Sequence, residues 1–218
     1  MSETTKQLMI ENTKREKGIA PENKEVYTNM IAYIRGSNLT DKNIEEIRED
    51  ITEMLLDAQY RGDNIEQVFG ENYKKICDEI IDALPKKTAK DHFLEIVDII
   101  LRCTWILGAI AFVMSIITDL ASQQGLGRFN ITNGQAISMV LIILLSYGFV
   151  TYISKTSLNQ DDSKKKTIIE TSGAVLSIIL VTLPIVFFNI VILEVSYLIA
   201  ALIIGLLFGA SKIIGNKR

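Results

Sequence analysis

The chain has 218 residues, with 23 Lys and Arg against 26 Asp and Glu, a net charge of -3, and 48% hydrophobic residues. Its mean hydropathy of +0.25 is more apolar than a soluble domain of this length requires. The acidic balance, with no concentrated basic face, argues against nucleic acid as a partner.

The charges are unevenly spread. Residues 1–92 carry 14 Lys and Arg and 19 Asp and Glu, whereas residues 93–218 carry 9 and 7. The sequence therefore predicts an all-α protein: a small helical cytoplasmic domain over 1–91, followed by a four-helix transmembrane bundle over 92–218.

In the front, Leu8 to Lys17 reads as a weakly amphipathic helix prone to fraying. Pro21 suits the first turn of a helix reaching Arg35, with Val26, Met30, Tyr33 and Ile34 at helical spacing. Gly36-Ser37-Asn38 ends it. Thr40 is an N-cap, and Leu39 and Ile44 form a hydrophobic staple. The helix they open has one apolar face of Ile44, Ile47, Ile51, Met54, Leu55 and Ala58, and Gly62 closes it. Glu45, Glu49, Glu53 and Asp57 recur every four residues on the opposite face. This row reads as a solvated surface and as the candidate face for a protein partner. A calcium loop would cluster its acids in a turn instead.

Asp63-Asn64 restarts a short helix that ends at Gly70. The next helix turns Tyr73, Ile76, Cys77, Ile80, Ile81 and Leu84 inward, and Pro85 breaks it. Thr88 and Asp91 resemble a capping box with a shortened acid, which would open the helix that becomes the first span. Cys77 and Cys103 read as reduced thiols, since nothing in their spacing suggests a disulfide or a metal site.

Four stretches are long and apolar enough to cross a bilayer as helices: about 97–118, 136–153, 168–188 and 195–213. Lys86, Lys87, Lys90, Lys155, Lys164, Lys165, Lys166, Lys212, Lys217 and Arg218 fall on one side of these spans. Arg128 alone falls on the other, in the loop 121–135, which is matched by a tight turn around 189–194. This bias places both termini in the cytoplasm and the chain in the cell membrane as a multi-pass protein. Asp98 and Arg102, four apart on the first span, can pair, and Glu170 enters the third span at similar depth. The choice is between an intramembrane ion pair and an arginine that snorkels to the headgroups. Ala201, Gly205 and Gly209 make a small-residue face on the fourth span, read as packing within the chain. Pro184 is expected to kink or loosen the third span.

The runs Tyr33-Ile34-Arg35, Leu39-Thr40, Ile44-Glu45-Glu46-Ile47-Arg48-Glu49-Asp50, Asp57-Ala58-Gln59-Tyr60-Arg61-Gly62, Phe69-Gly70-Glu71-Asn72-Tyr73-Lys74 and Cys77-Asp78-Glu79-Ile80-Ile81 cover residues 20–84. Together they resemble an uncharacterised bacterial helical-domain family, often encoded beside PadR-type regulators and sometimes labelled Dps-like. The resemblance implies a helical fold and a bacterial membrane setting. It supplies no iron site: a ferritin-type centre uses Glu-x-x-His pairs, and the single histidine, His92, has Ala89 three residues before it.

No catalytic, cofactor or metal signature emerges. The leading expectation is a membrane-anchored, non-enzymatic regulatory or adaptor protein that binds a cytoplasmic protein partner. The competing expectation is a small transporter or channel subunit, or an accessory of an exporter. There Arg102, Glu170, Ser115, Ser138, Ser146, Thr151 and Ser177 would line a path, and a narrow four-helix bundle would need to form a homo-oligomer. An intramembrane enzyme would need a convergent nucleophile and base, for which no residue set is evident.

Overall fold

A computed structural model describes residues 3–122, 127–158 and 163–216. Lys217 and Arg218, and the side chains of Lys164, Lys165 and Lys166, all counted above for orientation, lie outside that description. In chain order the elements are α1 (Glu3–Arg15), a 3-10 turn (Glu16–Gly18), α2 (Pro21–Arg35), α3 (Asp41–Arg61), α4 (Ile65–Phe69), α5 (Tyr73–Ala83), α6 (Ala89–Ala121), β1 (Phe129–Thr132), α7 (Asn133–Thr156), α8 (Ser163–Phe187), β2 (Val191–Val195) and α9 (Tyr197–Asn216). The all-α expectation holds, with one small two-stranded sheet added to it.

The chain divides into two compact units. Among the described residues the first comprises 3–92 with 149–158, and the second comprises 93–122, 127–148 and 163–216. The first unit has a single apolar core. Tyr27, Met30, Ile31 and Ile34 from α2 meet Ile44, Ile47, Ile51 and Leu55 from α3, and Ile65, Phe69 and Cys77 close it from α4 and α5. The local signals that set these helices are realised. Pro21 stands in the first turn of α2. The Thr40 hydroxyl accepts from the Asn43 N–H at 3.3 Å, and Gly62 ends α3 with φ 87°, where a side chain would be strained. Asn64 and Gln67 make a reciprocal capping box on α4. Thr88 and Asp91 make another, with Asp91 Oδ2 accepting from the Thr88 N–H at 3.0 Å and Thr88 Oγ1 from the Asp91 N–H at 3.2 Å.

Two readings of the front need correction. The segment expected to fray is a formed helix, α1, which packs on α3, with Thr5 and Asn12 buried and Met9 and Ile10 exposed. Polar contacts to α3, described below, replace the apolar stripe that a surface helix ordinarily needs. Met54 does not join the α3 core face and is exposed, because that face is completed by Ile51, Leu55 and Ala58. The segment 149–158 also belongs to this unit. Ser157 Oγ donates to the Asn29 carbonyl at 3.1 Å, Leu158 packs on the apolar core, and Gly36 faces Ser154 so closely that a Cβ would overlap it.

Four helices are long and apolar enough to span a membrane, Ala89–Ala121, Asn133–Thr156, Thr167–Phe187 and Tyr197–Gly215, and most of their length falls in the second unit. Their large apolar side chains are mostly exposed, Leu144, Ile178, Leu202 and Leu206 among them, as lipid-facing residues are. The connections read as a loop and a tight turn instead contain strands. β1 and β2 pair antiparallel, with Phe129 opposite Val195, Asn130 opposite Glu194 and Ile131 opposite Leu193. Helix α8 runs through Pro184 unbroken.

Candidate functional site

The front unit concentrates its chemistry beneath α1. Glu45, read as solvent-facing, is 5% exposed, and Arg48 one turn on is 4% exposed. Burying a charge costs several kcal/mol unless partners replace the lost water, and here they do. Arg48 Nη1 donates to Glu45 Oε2 at 3.0 Å, and Arg35 Nη2 donates to Glu45 Oε1 at 3.1 Å. Asn12 Nδ2 donates to the Glu45 carbonyl at 2.8 Å and to its Oε2 at 3.1 Å. The other arm of Arg48, Nη2, donates to Glu16 Oε2 at 2.5 Å and to Thr13 Oγ1 at 3.2 Å. Tyr27 and Thr52 share a hydrogen bond of 2.9 Å beside them, and Thr52 in turn donates to the Arg48 carbonyl at 2.6 Å. Burial works against the Arg48 charge, but the bonds to Glu16, Tyr27 and Glu45 outweigh it and raise its pKa. Burial likewise raises the Tyr27 phenol. Among the described residues Asn12 Oδ1 and Arg48 Nε are buried and find no partner.

The acid row therefore splits. Glu45 is spent inside the fold. Glu49, half-buried, accepts from Arg15 Nη1 at 2.8 Å. Glu53 and Asp57 remain exposed. Cys77 is fully buried, and burial, with Asp78 adding to it, pushes its thiol up to about 12. It is thus an unreactive thiol at neutral pH. Among the described residues no group of three or more His, Cys, Asp or Glu side chains could hold a metal ion.

In the second unit, α6 and α9 form an antiparallel seam. The Phe112 and Tyr197 rings meet edge to face at 5.6 Å. A Cβ on Gly108 would stand 3.7 Å from Ile204, and the Trp105 and Phe208 rings meet at 5.1 Å. At the far end Arg102 lies over Gly215, and Arg102 Nε donates to Asp98 Oδ1 at 2.9 Å. Asp98 is 3% exposed, while the Arg102 side chain is 55% exposed. Among the described residues Glu170 does not join this pair. Ala201, Gly205 and Gly209 lie off the seam. Ala201 and Gly205 are exposed, and nothing stands within 4 Å of a Cβ on Gly205 or Gly209. The seam uses Ala200, Ile204, Phe208, Ser211 and Gly215 instead, a different stripe of the same helix.

The chain matches no family model, no curated protein and no solved structure. Its own geometry is what bears on function.

A further polar cluster was not singled out from the sequence. Asp119 Oδ2 accepts from the Tyr197 hydroxyl at 2.7 Å and from the Gly127 N–H at 2.8 Å, and Ser115 shares a 2.9 Å bond with the same hydroxyl. A lone acid ending one apolar stretch and a lone tyrosine opening another were the available signal. Ser138 Oγ donates to the Val181 carbonyl at 2.7 Å, and Ser177 Oγ to the Gly173 carbonyl at 2.8 Å. Three of the serines expected along a path thus have separate partners.

Proposed function

We propose that this is a membrane-anchored, non-enzymatic regulatory or adaptor protein whose helical front binds a protein partner in the cytoplasm. The observation that carries the reading is how the front uses its charges. The buried ones are paired with each other around Arg48, which supports a structural role for them. Glu53 and Asp57, with Asp50 on a neighbouring turn, make this stretch of α3 acidic where it is exposed, while Glu46 is paired with Lys42 at 3.3 Å. A basic surface is the complement of such a face. The resemblance of residues 20–84 to a bacterial helical domain adds the expectation of a bacterial cell membrane. The excess of Lys on one side of the spans supports a reading with both termini inside. The separate bonding of Ser115, Ser138 and Ser177 weighs against the competing reading of a transport path.

Photocrosslinking in native membranes tests this. A photoreactive side chain at Asp57 should give a discrete adduct that Glu53→Lys abolishes and Lys74→Ala leaves intact. No adduct, or one indifferent to Glu53→Lys, together with solute flux through the reconstituted protein, would overturn the proposal. A membrane-impermeant thiol reagent should label a cysteine placed at Arg128 in intact cells and spare one placed at Tyr60.

A further inference from the structure

Arg102 faces a problem that its sequence neighbours alone do not solve. Between Arg102 and Asp119, α6 carries no ionisable side chain except the thiol of Cys103. At a rise of about 1.5 Å per residue the two charges stand about 25 Å apart along the helix, against a hydrocarbon core about 30 Å thick. One therefore falls near each boundary, with Arg102 at the level where acyl chains give way to headgroups. There a guanidinium has to find acceptors for five N–H groups. Among the described residues Arg102 makes one polar contact, from Nε to Asp98. The side chain is otherwise 55% exposed.

The local packing aims what is left over. Asp98 is buried and four residues back, so it holds the Nε edge against α6. Gly215 is buried on α9, and a Cβ there would stand 2.7 Å from Arg102 Nη2. The bare Cα therefore leaves the space that Arg102 Nη2 occupies. Among the described residues neither Nη group has an acceptor, which leaves the two as a planar fork. Lys212 stands one turn back along α9, exposed. A planar fork of N–H donors matches two oxygens of a phosphate, and at this depth the available phosphate belongs to a lipid.

We infer that Arg102, held by Asp98 and seated over Gly215, binds the phosphodiester of a phospholipid in the adjoining leaflet. The pair is a fixed lipid site in this account, and Asp98 acts as a positioning residue for the fork. The inference does not depend on what the front unit binds.

Native mass spectrometry of the full-length chain, released from micelles containing phosphatidylglycerol and a galactolipid of matched acyl chains, reads the site directly. The unaltered protein should retain one phosphatidylglycerol in preference to the phosphate-free lipid. Arg102→Ala should lower that retention about tenfold, as expected for the loss of a charge-assisted hydrogen bond. Arg102→Lys, which keeps the charge and loses the fork, should fall between the two. Gly215→Ala should also weaken retention by displacing the guanidinium. Equal retention of both lipids by the unaltered protein would overturn the inference. So would undiminished retention in Arg102→Ala or, if that variant does not fold, in Arg102→Lys. Loss of the preference in excess inorganic phosphate would show a site for free phosphate and would equally overturn it.

Discussion

The Ser138 hydroxyl on α7 donates to the Val181 carbonyl on α8 at 2.7 Å, three residues before Pro184. Pro184 has no N–H to offer its preceding turn, and its ring presses on that turn. The carbonyl that loses its N–H partner is that of Leu180, four residues back, and the Ser138 bond falls on the next one, Val181. The same pair of helices is joined at its end by the Gly134 N–H to the Phe188 carbonyl at 3.1 Å and the Asn133 N–H to the Ile190 carbonyl at 2.9 Å. These bonds tie α7 to α8 around Pro184, and α8 continues through that residue.

Ser138→Ala should lower stability by about 0.6–2 kcal/mol, the range for a single interhelical hydrogen bond. Gly134→Ala should cost more, because the added methyl would overlap the Pro184 and Phe188 carbonyl oxygens, which are backbone and cannot swing aside. Overpacking of this kind costs about 1–3 kcal/mol or more. Thermal unfolding in a fixed detergent should rank the variants Gly134→Ala below Ser138→Ala below the unaltered chain. The reverse order would mean that the α7–α8 contact is not the close one described.

Removing one member of the buried ion cluster should be far costlier than removing both. Arg48→Ala leaves the Glu45 carboxylate, 5% exposed, with Arg35 and Asn12 but without its α3 partner, and breaking a buried pair costs about 3–5 kcal/mol. Glu45→Leu combined with Arg48→Met replaces the charges with apolar bulk and should recover much of that loss. Cys77 is the reporter: it is fully buried in the same unit, so its rate of thiol labelling in urea, measured in a Cys103→Ser background, follows opening of the front. If the double variant opens as readily as Arg48→Ala, the cluster does not act as a pair.

What could be read from the sequence was what is decided within a few residues. Thr40, Gly62, Pro21 and the Thr88–Asp91 box each act on their own turn, and each stands where its neighbours required. The four spans follow from length and apolarity alone. Glu45 was misread because its compensation comes from elsewhere. A four-residue row of acids looks solvated until Asn12, Arg35 and Arg48 converge on its first member. The β1–β2 pairing was invisible for a similar reason, since its two halves lie on either side of two membrane helices. The α9 seam was missed because Gly205 and Gly209 advertise close packing more loudly than Ile204 and Ser211, which stand on the seam.

Alkaline pH should loosen the front unit before neutral or mildly acid pH does. The buried Cys77 thiol is pushed up to about 12, and Tyr33 is also pushed up to about 12, by burial first and then by the bond it donates to Asp78 at 2.8 Å. Burial raises Tyr27 and Tyr73 as well. In the unfolded chain these groups ionise at ordinary values, 9.0 for the thiol and 10.0 for the phenols. Between those values and the folded ones the unfolded state has lost protons that the folded state keeps, so stability falls as pH rises. It should be flat up to about pH 8 and decline steadily above pH 9. Cys77→Ala should remove the earliest part of the decline and leave the part due to the tyrosines. Urea midpoints across pH 7 to 11 test this, and a midpoint that does not fall across that interval would refute it.

The β1–β2 ribbon should depend on α6 and α9 for its order, since two strands alone are marginal in water. Phe129, 4% exposed, is its anchor, tilted against Phe112 at 5.9 Å. Phe112 also carries Tyr197 edge to face at 5.6 Å, and the Tyr197 hydroxyl reaches Asp119 at 2.7 Å. Phe129→Ala removes the anchor at a cost of about 3–5 kcal/mol to local order. Amide exchange at Asn130, Ile131, Leu193 and Glu194 should then approach that of an open loop. Tyr197→Phe keeps the ring on Phe112 and loses only the hydroxyl, so exchange there should quicken less. The two substitutions separate ring packing from the Asp119 bond: if Tyr197→Phe opened the ribbon as fully as Phe129→Ala, the hydrogen bond and not the aromatic cluster would be what holds it.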